Sequence, residues 1–259
     1  MLVPSLRHPM TTAAAIATLA EIAGEERVVV GVGSGFTARM AMGQRALRWA
    51  DVSEYVRAVK ALLAGEQMIW DGAPARMPHA PGYAAPRPIR VPFVVAAAGP
   101  KGIAAAQELA DGVFTSVPVA GFDWSVLLAF GTVLRDGEDA STPRVFDAAG
   151  HAAAVMLHWR REHRLLGEDT QAWEAAYGDV PEAERHLAMH EGHLMFVHDR
   201  DRPFVTPQLM VDLGLALSAE GWRERLAAME DGGATEVAYQ PAGPDIPGEL
   251  EAFAEAARG

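Results

Sequence analysis

The 259 residues include no cysteine, which excludes disulfides, thiolate metal sites and a cysteine nucleophile. Positive charge is scarce: 22 Lys and Arg stand against 34 Asp and Glu, a formal net charge of −12. Nucleic-acid binding needs a basic surface, so that partner class drops out. A small anionic ligand needs only local donors and stays open. No apolar run reaches the roughly 18 residues of a membrane helix, so no membrane partner is expected. The opening "MLVPSLRHPM" has no long apolar core and does not read as a secretion signal. The expectation is a cytoplasmic protein. There is no near-identical repeat and no linker that splits the chain, so residues 1–259 are read as a single domain.

What is present is ordinary for a globular protein, with 50% hydrophobic and 22% charged residues. "TTAAAIATLAEIA" (Thr11 to Ala23) predicts a helix with Ile16, Leu19, Ile22 and Ala23 on one face and Pro9 just ahead of its start. Arg27 to Val32 predicts a strand whose unbroken valines read as burial on both faces. A second helix follows, with Asp51 as its N-cap and a stripe of Val52, Tyr55, Val56, Val59, Leu62 and Leu63. Asp71 to Arg90 is rich in Pro, Gly and Ala and reads as a loop excursion.

"VPFVVAAAGPKG" predicts a buried strand, a glycine turn and a helix from Gly102 to Ala110. A strand Gly112 to Ser116, a strand in "WSVLLAFGTVL" and a helix in "RVFDAAGHAAAVMLHWRREH" come next. Thr170 to Leu217 reads as a mostly helical insertion without a strand. The close is helix "AEGWRERLAAMEDGG", strand "TEVAYQPAG" and helix "PGELEAFAEAAR". This alternation predicts an α/β fold with a parallel sheet, either doubly wound or a barrel.

Three stretches are candidates for chemistry. In "RVVVGVGSGF", Gly31, Gly33 and Gly35 approach a dinucleotide fingerprint, but Phe36 holds the place of the third glycine. Asp51 is at about the right distance for the ribose acid yet opens a helix. The other reading is glycine letting backbone pass close to something at a strand's C-terminal end. "AAAGPKG" places Gly99, Pro100, Lys101 and Gly102 at a strand-to-helix junction, where free N–H groups and a lysine suit a phosphate. In "RHLAMHEGHLMFVH", His186 and His190 stand four apart beside Glu191, but the H-E-x-x-H pattern is not met. These histidines, with His193 and His198, read as packed or solvated, and no metal is expected. A nucleophile elbow would need glycine where Val32 stands, which removes serine hydrolase chemistry.

"LRHPMTTAAAIATLAEIAGEERVVVGVGSGF" closely resembles the luciferase-like flavin- and F420-dependent oxidoreductases. The matching features are Arg7 and Pro9, the helix before Arg27, and the strand Val28 to Gly35. "GPKGIAAAQELADGVF" and "GWRERLAAMEDGGATEVAYQPAGPD" resemble two later family segments, so that only the stretch between about Thr170 and Leu217 is uncovered.

The resemblance implies a (β/α)8 TIM barrel binding FMN or F420 at the C-terminal ends of its strands. It also implies hydride or oxygen transfer to a small organic substrate. It places Ser34 and Gly35 under the cofactor ring and Ala97, Ala98, Gly99, Pro100, Lys101 and Gly102 around the phosphate. Arg39 joins the cofactor contacts, and Arg7 and Phe36 face the ring or substrate. Phe36 stands where the F420-dependent sugar-phosphate dehydrogenases carry an acid. Counted against the family, the five expected strands are its fourth to eighth, and Met1 falls where the third strand ends. The expectation is therefore a barrel lacking its first two βα units and third strand, from a start read inside a longer frame. That leaves the catalytic residues unassigned. A homodimer is expected from the family habit. The alternative to an enzyme is a short, non-catalytic flavoprotein or interaction module.

Overall fold

A computed structural model of the chain describes residues 1–80, 82–165 and 167–259. It contains β1 (Val30–Gly33), β2 (Met68–Trp70), β3 (Ala73–Ala75), β4 (Phe93–Ala96), β5 (Gly112–Thr115), β6 (Ser125–Phe130), β7 (Thr132–Val133), β8 (Ala216–Leu217) and β9 (Glu236–Gln240). The helices are α1 (Pro9–Ala23), α2 (Phe36–Met40), α3 (Trp49–Ala64), α4 (Pro100–Leu109), α5 (Pro143–Glu162), α6 (Glu168–Ala175), α7 (Arg185–Met189), α8 (Pro207–Asp212), α9 (Ala219–Asp231) and α10 (Ile246–Arg258). Five strands hydrogen-bond in the order β1-β4-β5-β6-β9, and the pairs β1–β4, β4–β5 and β5–β6 are parallel. α2 and α3 lie between β1 and β4 and α4 between β4 and β5, whereas β5 and β6 are joined by residues 116–124 with no helix among them.

The residues group into two compact units. One is Met1–Met40, Gln44–Leu127 and Gly233–Glu236; the other is Ala41–Gly43, Leu128–Gly232 and Val237–Gly259.

In the first unit, β4 is buried on both faces: Phe93, Val94 and Val95 are all inside. β1 differs from its sequence reading. Val28, Val30 and Val32 are buried but Val29 is 50% exposed, so the run is one-sided and its outer side lies open there. The other edge of β1 bonds to Leu2, which pairs in parallel with Val32; Leu2 N donates to Gly31 O and Gly33 N to Leu2 O.

The buried face of α1 is also not the expected one. Thr12, Ala13, Ile16, Ala17 and Ala20 are buried, whereas Leu19 and Ile22 are exposed. Alanine lets α1 approach α3 closely, and the Thr12 and Tyr55 hydroxyls share a buried hydrogen bond between the two helices. Pro9 is the first helical residue, with His8 Nδ1 accepting from Met10 N. Proline suits that position because its missing N–H would have no partner there. For α3 the N-cap is Arg48, not Asp51; Asp51 sits in the first turn and pairs with Arg48. The expected excursion starts in the turn of a small antiparallel hairpin: β3 lies within it and its partner β2 just before it, while Pro81 lies outside the described residues.

In the second unit, "WSVLLAFGTVL" breaks into β6 and β7 at Gly131, whose φ is +126°. A Cβ there would overlap the Leu215 carbonyl, so only glycine lets this bend meet β8. β7 and β8 pair in parallel, which places a two-residue strand at the end of the stretch read as strandless. α5 packs Val145, Ala149, Ala152 and Ala153 against Val205, Met210 and Leu215. Leu157, Trp173, Tyr177 and Met189 form a neighbouring cluster.

α9 opens on Ser218, whose Oγ accepts from Gly221 N at 3.1 Å. Ser218→Ala should cost about 1 kcal/mol in urea unfolding, the ordinary worth of such a cap. Ser218→Asp, which keeps an acceptor there, should cost little.

Candidate functional site

Because β1 and β4 are parallel and in register, their C-terminal ends finish at one level, with Gly33 opposite Ala96. Parallel α/β folds place ligands at such ends. A pocket of about 310 Å³ lies there, lined by residues 33–38, Ala96 and residues 1–3.

The glycines shape it. A Cβ on Gly33 would come within 3.3 Å of the Ala96 Cβ, so the floor has no room for a larger pair. Gly35 turns the chain at φ +74°, and its carbonyl accepts from Arg39 N at 2.8 Å as α2 begins. A side chain at Gly35 would overlap Val3 and crowd Arg39. The Ser34 carbonyl accepts from Leu47 N at 2.9 Å, which pins the turn from the far side of α2.

Beside the pocket, the chain leaves β4 through Ala97 and Ala98 and enters α4 at Gly99, with Pro100 as the first helical residue. No side chain caps this helix. Residues 98–101 are exposed, and a Cβ on Gly99 would meet nothing within 4 Å. Pro100 carries no N–H and Gly102 N already donates to Gly99 O at 3.0 Å, so the open end offers the Lys101 N–H and the positive end of the helix dipole, and the Lys101 side chain adds a full charge.

The residues marked in the sequence separate here into groups. Ser34, Gly35 and Phe36 line the pocket; Ala98, Gly99, Pro100 and Lys101 surround the open helix end. Ala97 is buried, and Gly102 serves packing: a Cβ there would overlap Trp49 and press on Ala97. Arg39 is a tether, with Nε donating to Arg45 O and Nη1 to Ser5 Oγ, both at 2.6 Å. Arg7 is exposed and outside the pocket lining. Thr37, Ala38 and Ala96 line the pocket without having been marked, since small residues carry no chemical signature in a sequence.

The second unit has a larger cavity of about 510 Å³, bounded by Phe146, Glu191, Phe196, His198 and Arg202. None of its lining residues lies in a strand, and the Arg202 guanidinium is already placed 4.7 Å over the Phe146 ring. In the histidine run, His190 does not pair with His186. His190 and His193 gather instead around His158 of α5, with ring centroids 4.9 and 5.3 Å from it. Burial pushes the pKa of both His190 and His193 down to about 4, so both rings are neutral near pH 7.

Parallel strands ending at a glycine-lined pocket, beside an open helix N-terminus, are the arrangement in which parallel α/β folds place ligands. The chain matches the luciferase-like monooxygenase family over residues 1–236 and belongs to it. It is 28% identical over 181 residues to an F420-dependent glucose-6-phosphate dehydrogenase of Nakamurella multipartita. The match covers 68% of this chain and 52% of that protein, so the chain spans about half the length of this relative.

Among solved structures it resembles the coenzyme F420-dependent tetrahydromethanopterin reductase of Methanopyrus kandleri, with a TM-score of 0.61 at 16% identity over 98% of this chain and 78% of the other. It also resembles an F420-dependent secondary alcohol dehydrogenase in complex with an F420–acetone adduct, with a TM-score of 0.57 at 16% identity over 97% and 76%. The fold is thus α/β, of the luciferase-like TIM-barrel type. No helix among the described residues is long and apolar enough to cross a membrane.

Proposed function

We propose that the chain is an F420- or FMN-dependent oxidoreductase acting on a small organic substrate. The ring would seat in the pocket over Gly33, Ser34 and Gly35, and the phosphate at Ala98–Lys101. The observation that carries this reading is the register of β1 with β4, which sets a side-chain-poor pocket next to an uncapped, exposed helix N-terminus. The residues present suit such a group. The pocket lies in the size range of ligand sites, and the cradle at Gly99 is open backbone. The relatives above are F420-dependent enzymes, which supports F420 ahead of FMN.

When bound, the ring supplies hydride transfer; the protein's share is position and electrostatics. Gly33 and Gly35 keep side chains out of the ring's place, and the Leu47–Ser34 and Arg39–Gly35 hydrogen bonds hold the turn that presents them. Arg39 acts one step back, fixing the loop through Arg45 and Ser5. Phe36 offers an apolar wall on the substrate side, where it would help exclude water.

Titration of the purified full chain with each cofactor, followed by fluorescence, tests the reading. Saturable binding of one cofactor is expected. Lys101→Ala should weaken it by about tenfold or more, because a hydrogen bond to a charged group contributes about 1.5–3 kcal/mol. A chain that binds neither cofactor would sink the proposal.

A second reading has its own observation: no carboxylate, histidine or lysine side chain lines the pocket among the described residues. A non-catalytic cofactor-binding protein would bind as above but turn over no alcohol, aldehyde or sugar phosphate.

A further inference from the structure

The group formed by His158, His190 and His193 has no part in the cofactor reading. One ring nitrogen from each lies within 4.8 Å of the other two. Three different segments supply them: the interior of α5, the C-cap of α7, and the turn after Gly192 at φ +66°.

The rings are held rather than loose. His158 stacks on Trp173 at 5.2 Å between centroids and is 6% exposed. Its two ring nitrogens make no hydrogen bond, and neither does Nε2 of His193. Buried polar atoms are normally partnered, and leaving them so is costly. The only polar contact between His190 and His193 is Nδ1 to Nδ1 at 3.4 Å. Two imidazole lone pairs at that spacing match the edge of a tetrahedron around a zinc-sized ion, where Zn–N bonds of about 2.0–2.1 Å give N···N near 3.4 Å.

A carboxylate stands behind the group. Asp201 Oδ1 accepts from Trp173 Nε1 at 2.6 Å and from Tyr177 OH at 2.7 Å, and Oδ2 lies 3.9 Å from His158 Nε2. Histidine ligands to metals commonly have such a carboxylate on their far side, which orients the ring and raises its basicity.

We propose that His158, His190 and His193 form a three-histidine site for a divalent first-row transition ion of the zinc class, with Asp201 as its supporting carboxylate. Imidazole ligands suit zinc, copper, iron and nickel, and no thiolate is available to draw a softer ion. Three protein ligands leave a fourth position for water. The ligand set was hidden in the sequence because His158 lies about thirty residues before the other two. The i, i+4 pair that did stand out, His186 with His190, is not the one the fold assembles.

The test uses the full chain stripped with a chelator, then titrated with Zn²⁺ by calorimetry and with Co²⁺ by visible absorption. One Zn²⁺ per chain is expected, with the intense Co²⁺ bands of a tetrahedral site and a higher Tm. His190→Gln and His193→Gln should each weaken Zn²⁺ binding by more than about 100-fold. Asp201→Asn should weaken it about 10–100-fold, the usual loss for an outer partner. His186→Ala and His198→Ala should leave the affinity unchanged.

Absence of stoichiometric Zn²⁺ binding would overturn the proposal. So would a weak, octahedral Co²⁺ spectrum, or binding lost on changing His186 or His198 but kept without His193. The wild-type Co²⁺ spectrum decides the matter if a variant fails to fold. None of these readouts depends on F420 or FMN.

Discussion

Arg144→Met is expected to destabilise the protein by about 3–5 kcal/mol, the usual cost of removing one partner from a buried ionic network. Arg144 joins Glu138 and Glu249, whose side chains are 12% and 5% exposed, and it also donates to Thr132 Oγ1 and the Val133 carbonyl. Thr132 Oγ1 in turn donates to Glu249, so α10, β7 and the start of α5 are tied through one guanidinium. Without it, the Glu138 and Glu249 carboxylates are left buried without their guanidinium counter-charge. At roughly 2–4 °C per kcal/mol for a chain of this size, Tm should fall by about 6–20 °C in calorimetry. Adding Glu138→Gln to Arg144→Met should recover part of the loss by removing one of the unpaired charges.

The network also sets an acid limit. The hydrogen bond from Arg144 holds the Glu138 pKa down to about 2, against 4.5 for an ordinary glutamate. A group whose folded pKa is lowered contributes stability above its unfolded pKa and loses it as pH falls toward the folded one. The contribution should thus be complete above about pH 4.5 and vanish on the way to pH 2. Urea midpoints measured across that window should drop more steeply in the wild type than in Glu138→Gln; equal slopes would contradict this.

Trp222→Ala should cost about 3–5 kcal/mol, the range for emptying an aromatic site in a core. Trp222 is fully buried, meets Phe253 and Tyr239 edge-on at 5.2 and 6.0 Å, and donates from Nε1 to the Thr132 carbonyl at 2.9 Å. Tyr239 and Phe253 stack at 3.9 Å, so the indole is the third side of a ring cluster joining α9, β9 and α10. Trp222→Phe keeps most of the volume but leaves the Thr132 carbonyl without that donor, and about 1–3 kcal/mol should be lost. The two variants compared by denaturant titration separate ring packing from the hydrogen bond. Similar losses in both would show that the bond, not the volume, dominates.

Much of the architecture was legible because strand and helix periods are local. The strands at Phe93–Ala96, Gly112–Thr115, Ser125–Phe130 and Glu236–Gln240 lie where the residues predict them, and so do α3, α4, α5, α9 and α10 within a few residues. The misreadings occur where a partner elsewhere in the chain decides. Leu19 and Ile22 look like a core stripe, yet the alanine face of α1 is buried because close approach to α3 gains more than bulk does. Asp51 looks like a cap, but Arg48 sits at that position and holds Asp51 by both carboxylate oxygens. The β7–β8 pair is invisible locally because two residues carry no period.

The candidate site divides in the same way. The glycine turn at Gly33–Gly35 and the Gly99–Lys101 helix end are written in residue types, since only glycine makes such turns and only an uncapped start leaves a donor free. The sequence alone therefore determined the α/β class and the two loops. That those loops finish side by side follows from the β1–β4 register, which no local pattern encodes. The resemblance marks Arg39 as a cofactor contact; the hydrogen bonds it makes to Arg45 and Ser5 appear only in the fold. The convergence of His158 with His190 and His193 was likewise left to the tertiary structure. Side chains thirty residues apart meet only when helices pack, and packing depends on the shapes of surfaces the sequence does not yet show as neighbours.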